Sequence, residues 1–163
     1  MPSSVSCCSR SPCSSASSFN SVRRRGYTRG MSGLTPYLLF PGNAAEAMRH
    51  YQSVFGGELR MFDYAQFDRH DGPSDAIAHA MLEGVVDLSG ADAGIDADAV
   101  QMGGMFFSLL GTADASTLTG WFADLSVGGR VIDPLQRRPW GDWDGTLVDR
   151  YGIRWLIGYQ PES

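Results

Sequence analysis

Two glycine pairs, Gly56-Gly57 and Gly128-Gly129, stand 72 residues apart, and each closes a segment of the same kind. Upstream of the first pair, Ala44, Ala47, Met48, Tyr51, Val54 and Phe55 recur at helical spacing, which gathers them on one face of a helix that the glycines terminate. Asn43 followed by Glu46 has the form of a capping box at the start of that helix. Upstream of the second pair, Leu118, Trp121, Phe122 and Leu125 repeat the pattern behind Asp114, a plausible N-cap. An extended apolar run precedes each helix, at 34–40 and 105–110; Pro36 is tolerated at the beginning of such a strand. Three strand-like runs follow each helix, at 58–67, 77–83 and 85–89 and then at 130–135, 145–149 and 153–159. The chain therefore reads as two βαβββ units, about 34–90 and 105–160, joined by an Asp-, Ala- and Gly-rich linker at 91–104. Neither unit buries its sheet face alone, so the expected fold is α+β, with paired modules sharing one core.

The repeat begins only after an unusual leader. Residues 1–30 hold ten Ser, five Arg and no acid, and show little apolar periodicity. Such a composition cannot offset the entropy of ordering, so a disordered tail is expected outside a domain at 31–163. Its Arg- and Ser-rich character matches an organelle leader, and the lack of an apolar core argues against a secretory signal. A start codon assigned too early is the favoured reading, because the first strand begins about four residues after Met31. All three cysteines, Cys7, Cys8 and Cys13, fall in this leader without zinc-site spacing, and the body has none. A body that needs no disulfide is expected in the cytoplasm, with organelle targeting as the alternative.

Charge narrows the partners. Beyond residue 30, eight Arg face eighteen Asp and Glu, a net −10, so the body lacks the basic stripe that nucleic acid requires. No run approaches the ~18 apolar residues of a membrane span, so no membrane partner is expected.

The finer pattern resembles a known family. Pro36-Tyr37-Leu38-Leu39-Phe40, Gly42-Asn43-Ala44, Glu46-Ala47, Tyr51 and Val54-Phe55-Gly56-Gly57-Glu58 are similar to the first strand and helix of PhnB-like proteins. Gly128-Gly129, Pro134-Leu135-Gln136, Trp140-Gly141-Asp142 and Asp149-Arg150-Tyr151-Gly152-Ile153-Arg154-Trp155 resemble that group's closing motif, so the likeness spans about 34 to 159. The group is a glyoxalase-like branch of the vicinal oxygen chelate superfamily, also labelled demethylubiquinone methyltransferase-like. The resemblance implies paired βαβββ modules forming a cupped sheet, the glyoxalase/bleomycin resistance/dioxygenase-like fold. It also implies a homodimer and, in active members, a divalent metal held in the cup by His, Glu or Asp from four strands.

Carried over residue by residue, the four ligand positions fall on Thr35, Asp87, Phe107 and Leu156. Asp87 alone is a strong ligand type, so no metal or other cofactor is expected. His79, on a neighbouring strand and sharing a face with Ile77 and Met81, is the other candidate. His79 and Asp87 are thus the candidate catalytic pair or, if a metal is present, its ligands; the alternative to a hydrogen bond between strands is acid-base chemistry. Trp140, Trp143 and Phe107 are the candidate small-molecule contacts. Residues 140–145 set two indoles beside two carboxylates, a rim suited to an apolar or cationic group, unless Trp140 anchors the loop to the core. His50 and His70 are expected at the surface, and Arg154 solvated or paired with an acid. The expected function is small-molecule binding with the metal chemistry lost. The alternative is a metal-dependent lyase, isomerase or dioxygenase using His79 and Asp87. No Gly-rich strand-turn-helix suited to a nucleotide or methyl donor is present.

Overall fold

The computed structural model describes residues 34–94 and 99–161, so the expectations for the leader fall outside the described residues. Both predicted modules form. The first comprises β1 (Tyr37–Phe40), α1 (Ala44–Phe55), β2 (Glu58–Asp63), a 3-10 turn (Ala65–Phe67), β3 (Ile77–Glu83) and β4 (Leu88–Asp92). The second comprises β5 (Phe107–Leu110), α2 (Ala115–Ser126), β6 (Arg130–Arg137), β7 (Trp143–Val148) and β8 (Arg154–Tyr159). Each builds a mixed four-stranded sheet with the same order, β1-β4-β3-β2 and β5-β8-β7-β6. The first strand pairs parallel with the last, Tyr37 opposite Ser89 and Phe107 opposite Trp155, and the other pairs are antiparallel.

The repeated glycines have a steric cause. A Cβ on Gly57 would lie 2.5 Å from the Glu83 carbonyl oxygen, and one on Gly129 would lie 2.4 Å from that of Val148. In each module the chain leaving the helix thus crosses the end of the third strand at a distance that only glycine permits.

Each helix covers one face of its own sheet, and the two covered faces meet in one core. Leu38, Phe40 and Leu82 of the first sheet share it with Leu147, Trp155 and Ile157 of the second, and all six are nearly fully buried. Phe55 of α1 meets the edge of Trp121 of α2 at 5.1 Å, and Tyr51 meets Trp155 at 6.0 Å. Asp149 latches the modules together. Its buried carboxylate accepts hydrogen bonds from Tyr51 Oη, Trp155 Nε1 and the amides of Tyr151 and Ile153, all at 2.8–3.0 Å. Burial, and then the neighbouring Asp149 charge, push the Tyr51 hydroxyl far above its ordinary range.

Several local expectations change. β4 runs Leu88–Asp92, so what reads as the start of a linker is its end. Its Ser-Gly-Ala-Asp sequence has weak strand propensity and is fixed instead by pairing with β1. Asn43 makes no side-chain cap; Asp92 caps the Ala44 amide at 2.8 Å from across the module and also holds the Ile77 amide at 2.8 Å. Glu46 instead accepts from Tyr151 Oη at 3.0 Å. β2 ends at Asp63, before the 3-10 turn.

The face of each sheet away from its helix carries no helix, although Met81, Ser89 and Ala91 on the first sheet are buried. Pairing and alternation place Tyr37, Leu39, His79, Met81, Ser89 and Ala91 on the first, and Ser108, Leu110, Arg154, Leu156 and Gly158 on the second.

Candidate functional site

His79 and Asp87 are not brought together. Ala80 lies opposite Gly90 and Leu82 opposite Leu88, so His79 falls opposite Ala91. Four positions, roughly 13 Å, then separate it from Asp87 along β4. Asp87 lies in the β3–β4 turn, exposed, where it accepts the Gly84 amide at 2.9 Å. An irregularity between β2 and β3 also turns Ile77 to the core side, so His79 shares its open face with Met81 but not with Ile77. His79 is sandwiched between Tyr37 at 5.6 Å and Phe62 at 6.5 Å, both nearly parallel to it. Its Nδ1 lies 3.1 Å from Tyr37 Oη, and its Nε2 is buried without a partner among the described residues. Burial holds the imidazole below its ordinary titration range.

The ligand positions implied by the resemblance are not assembled either. Phe107 turns toward the helix side and packs on Trp155 at 5.6 Å, so it is neither an open-face position nor a ligand contact there. The neighbouring β5 residue, Ser108, takes the open face instead, opposite Leu156. On the first sheet the corresponding rung is Tyr37 opposite Ser89, with Thr35 ahead of the strand. Hydroxyls and an alkyl group do not fit a divalent ion, which needs several carboxylate, imidazole or thiolate donors. Among the described residues, no group of three or more His, Cys, Asp or Glu is placed to hold a metal.

A cavity of about 640 Å³ opens at the end of the second sheet, where β5 and β8 finish and β7 and α2 begin. Trp140, Trp143 and Tyr159 give it aromatic walls, Leu110 an apolar one, and Asp114, Asp142 and Asp144 its acids. Trp143 pairs with Tyr159 across β7 and β8, and their rings stack at 6.0 Å and 9°. The Trp140 wall is set by a tight turn. The Gly141 amide donates to the Arg138 carbonyl at 2.9 Å, with Pro139 at the turn's second position and Gly141 at φ 110°. Trp140 sits at its tip and is 69% exposed, so it does not anchor the loop to the core.

Arg138 braces this turn by binding Asp144 Oδ1 at 2.6 and 2.8 Å and by pairing with Asp133. Asp114 caps α2, accepting the Thr117 amide at 2.9 Å and the hydroxyls of Ser116 and Thr117. The Ser116 hydroxyl, followed by the Thr117 amide, holds this carboxyl far below the usual range. Asp142 makes no side-chain hydrogen bond or ion pair among the described residues.

Two of the other expectations are corrected. Arg154 is neither paired with an acid among the described residues nor fully solvated: it is half-buried, its Nε is buried without a partner, and it stacks on Phe106 at 4.5 Å. His50 is half-buried beside Tyr51 and Tyr151 at the module junction, and burial lowers its titration range, whereas His70 is exposed near Asp68. Sequence reasoning missed Leu110, Tyr159 and the second role of Asp114. The usable signal for Tyr159 was its cross-strand pairing with Trp143.

No protein-family model matches the chain. It is 30% identical over 141 residues to Protein YjdN of Escherichia coli (strain K12), covering 76% of this chain and 92% of that protein. Protein PA1353 from Pseudomonas aeruginosa superposes with a TM-score of 0.67 at 29% identity, covering 79% of this chain and 98% of that one. The PhnB protein from Bacillus cereus shares the fold with a TM-score of 0.64 at 24% identity, over 77% of this chain and 98% of its own.

Proposed function

The chain belongs to the PhnB-like branch of the vicinal oxygen chelate superfamily, and we propose that it binds a small molecule through aromatic walls instead of through the superfamily's metal. The observation that carries this reading is the roughly 640 Å³ cavity bounded by Trp140 and the Trp143–Tyr159 stack. Its volume suits a drug-sized molecule, and its mixture of apolar walls and a few polar groups is the usual make-up of a ligand site. The open-face rungs Tyr37–Ser89 and Ser108–Leu156 offer hydroxyls and an alkyl group, which leaves binding to shape, stacking and charge.

A ligand seated there lies against indoles, so it should alter tryptophan emission and raise the melting temperature. Trp140→Ala removes an exposed wall without touching the core, so affinity should fall about tenfold or more with little loss of stability. Screening a small-molecule library by thermal shift and fluorescence on both proteins tests this. Hits that bind Trp140→Ala as tightly as the wild type would place the site elsewhere.

The working form is a homodimer in this reading. Each sheet leaves one face without a helix, and that of the first sheet includes Tyr37, more than half exposed. A second copy covers such faces by an isologous contact. Sedimentation at tens of micromolar should give about twice the 17.7 kDa chain mass. A single species at the chain mass contradicts the dimer.

A further inference from the structure

We infer that the molecule taken by this cavity is an organic cation, an ammonium group on an apolar or aromatic body, with Asp142 as its counter-charge. The inference rests on the cavity being the binding site. The lining carries three carboxylates and no Arg, Lys or His. Two of the three are already used: Asp114 caps α2, and Asp144 is gripped by Arg138, whose side chain is only 17% exposed. Asp142 is left over, half-buried in the same lining as Trp140 and Trp143, with no side-chain hydrogen bond or ion pair among the described residues.

Each ligand class meets this arrangement differently. An anion faces the charge of Asp114, held ionised by its capping hydrogen bonds, and gains no donor from a basic side chain. A neutral molecule of matching shape strips water from Asp142 and returns nothing for it. An inorganic dication needs several free oxygens, and the other two carboxylates are committed. An ammonium group instead pairs with Asp142 while its flank lies on the exposed Trp140 face, and the stacked Trp143 and Tyr159 supply a wall for the apolar body.

Three probes of nearly equal size separate these cases: 4-phenylbutan-1-amine, 4-phenylbutan-1-ol and 4-phenylbutanoate, titrated calorimetrically at neutral pH into the full chain. The amine should bind at least about tenfold tighter than the alcohol, and the carboxylate weakest. Asp142→Asn should bring amine and alcohol within about threefold, by removing the amine's counter-charge and sparing the alcohol the cost of desolvating a carboxylate, and Asp142→Glu should keep the amine's advantage. Equal binding of amine and alcohol by the wild type, or an amine advantage that survives Asp142→Asn, overturns the inference and leaves the cavity reading standing. If none of the three binds at millimolar concentration, the inference and the cavity reading fall together.

Discussion

Replacing Asp149 with alanine is expected to cost roughly 3–5 kcal/mol of stability, the largest loss from any single side chain outside the apolar core. Four donors converge on this carboxylate: Tyr51 Oη from α1, Trp155 Nε1 from β8, and the amides of Tyr151 and Ile153 in the turn between β7 and β8. Alanine leaves all four without the carboxylate in a region where Asp149 is only 3% exposed. Asparagine keeps the shape but must direct an NH₂ group at one pair of donors. Facing it toward Tyr51 lets the hydroxyl reverse and accept, while the Trp155 N–H stays unpaired. Asp149→Asn should therefore lose less, about 1–3 kcal/mol. Urea unfolding followed by far-UV circular dichroism measures both. A loss under about 1 kcal/mol for Asp149→Ala would remove this group as the latch between modules.

The second large effect separates two adjacent glycines. Gly56 and Gly57 both have positive φ, at 72° and 91°, so alanine strains the backbone at either. A Cβ on Gly56 meets nothing within 4 Å, whereas one on Gly57 sits 2.5 Å from the Glu83 carbonyl oxygen and 3.3 Å from Gly84 Cα. Backbone atoms cannot step aside as a flexible side chain does. Gly56→Ala should cost about 1 kcal/mol and Gly57→Ala roughly 2–4 kcal/mol, because overpacking adds to the shared conformational cost. Equal losses at the two positions would show that conformation alone, and not the close crossing of α1 and β3, demands the pair.

That contrast also explains why the module repeat could be read from sequence. A close crossing of backbones requires glycine itself, so it leaves the same mark in both halves, at Gly57 and at Gly129. The amphipathic helices were legible for a similar reason: Met48, Tyr51 and Phe55, and Leu118, Trp121 and Leu125, follow local periodicity. The end of β4 was not, because Gly90, Ala91 and Asp92 become strand only through β1, some fifty residues earlier. The α1 cap was missed on the same ground, since Asp92 arrives from outside the local sequence.

The candidate site divides along this line too. Trp140 sits in a Pro-containing turn and Trp143 follows it closely after Gly141 and Asp142, and turn chemistry is local, so their joint presence at a cavity wall was readable. Pairing His79 with Asp87 required the β3–β4 register, and pointing Phe107 into the cup required the inward phase of β5. One residue of phase exchanges the two faces of a strand, which is how Ser108 takes the open position and Phe107 joins the core.

The central claim, recognition by aromatic walls in place of a metal, is tested most directly by elemental analysis of the full chain purified without chelators and then dialysed. Tyr37, Ser89, Ser108 and Leu156 offer too few donors to repay dehydration of a divalent ion. Zinc, nickel, manganese and iron should each stay below about 0.1 equivalent per chain. Any one of these metals near one equivalent, retained through dialysis, would contradict the account.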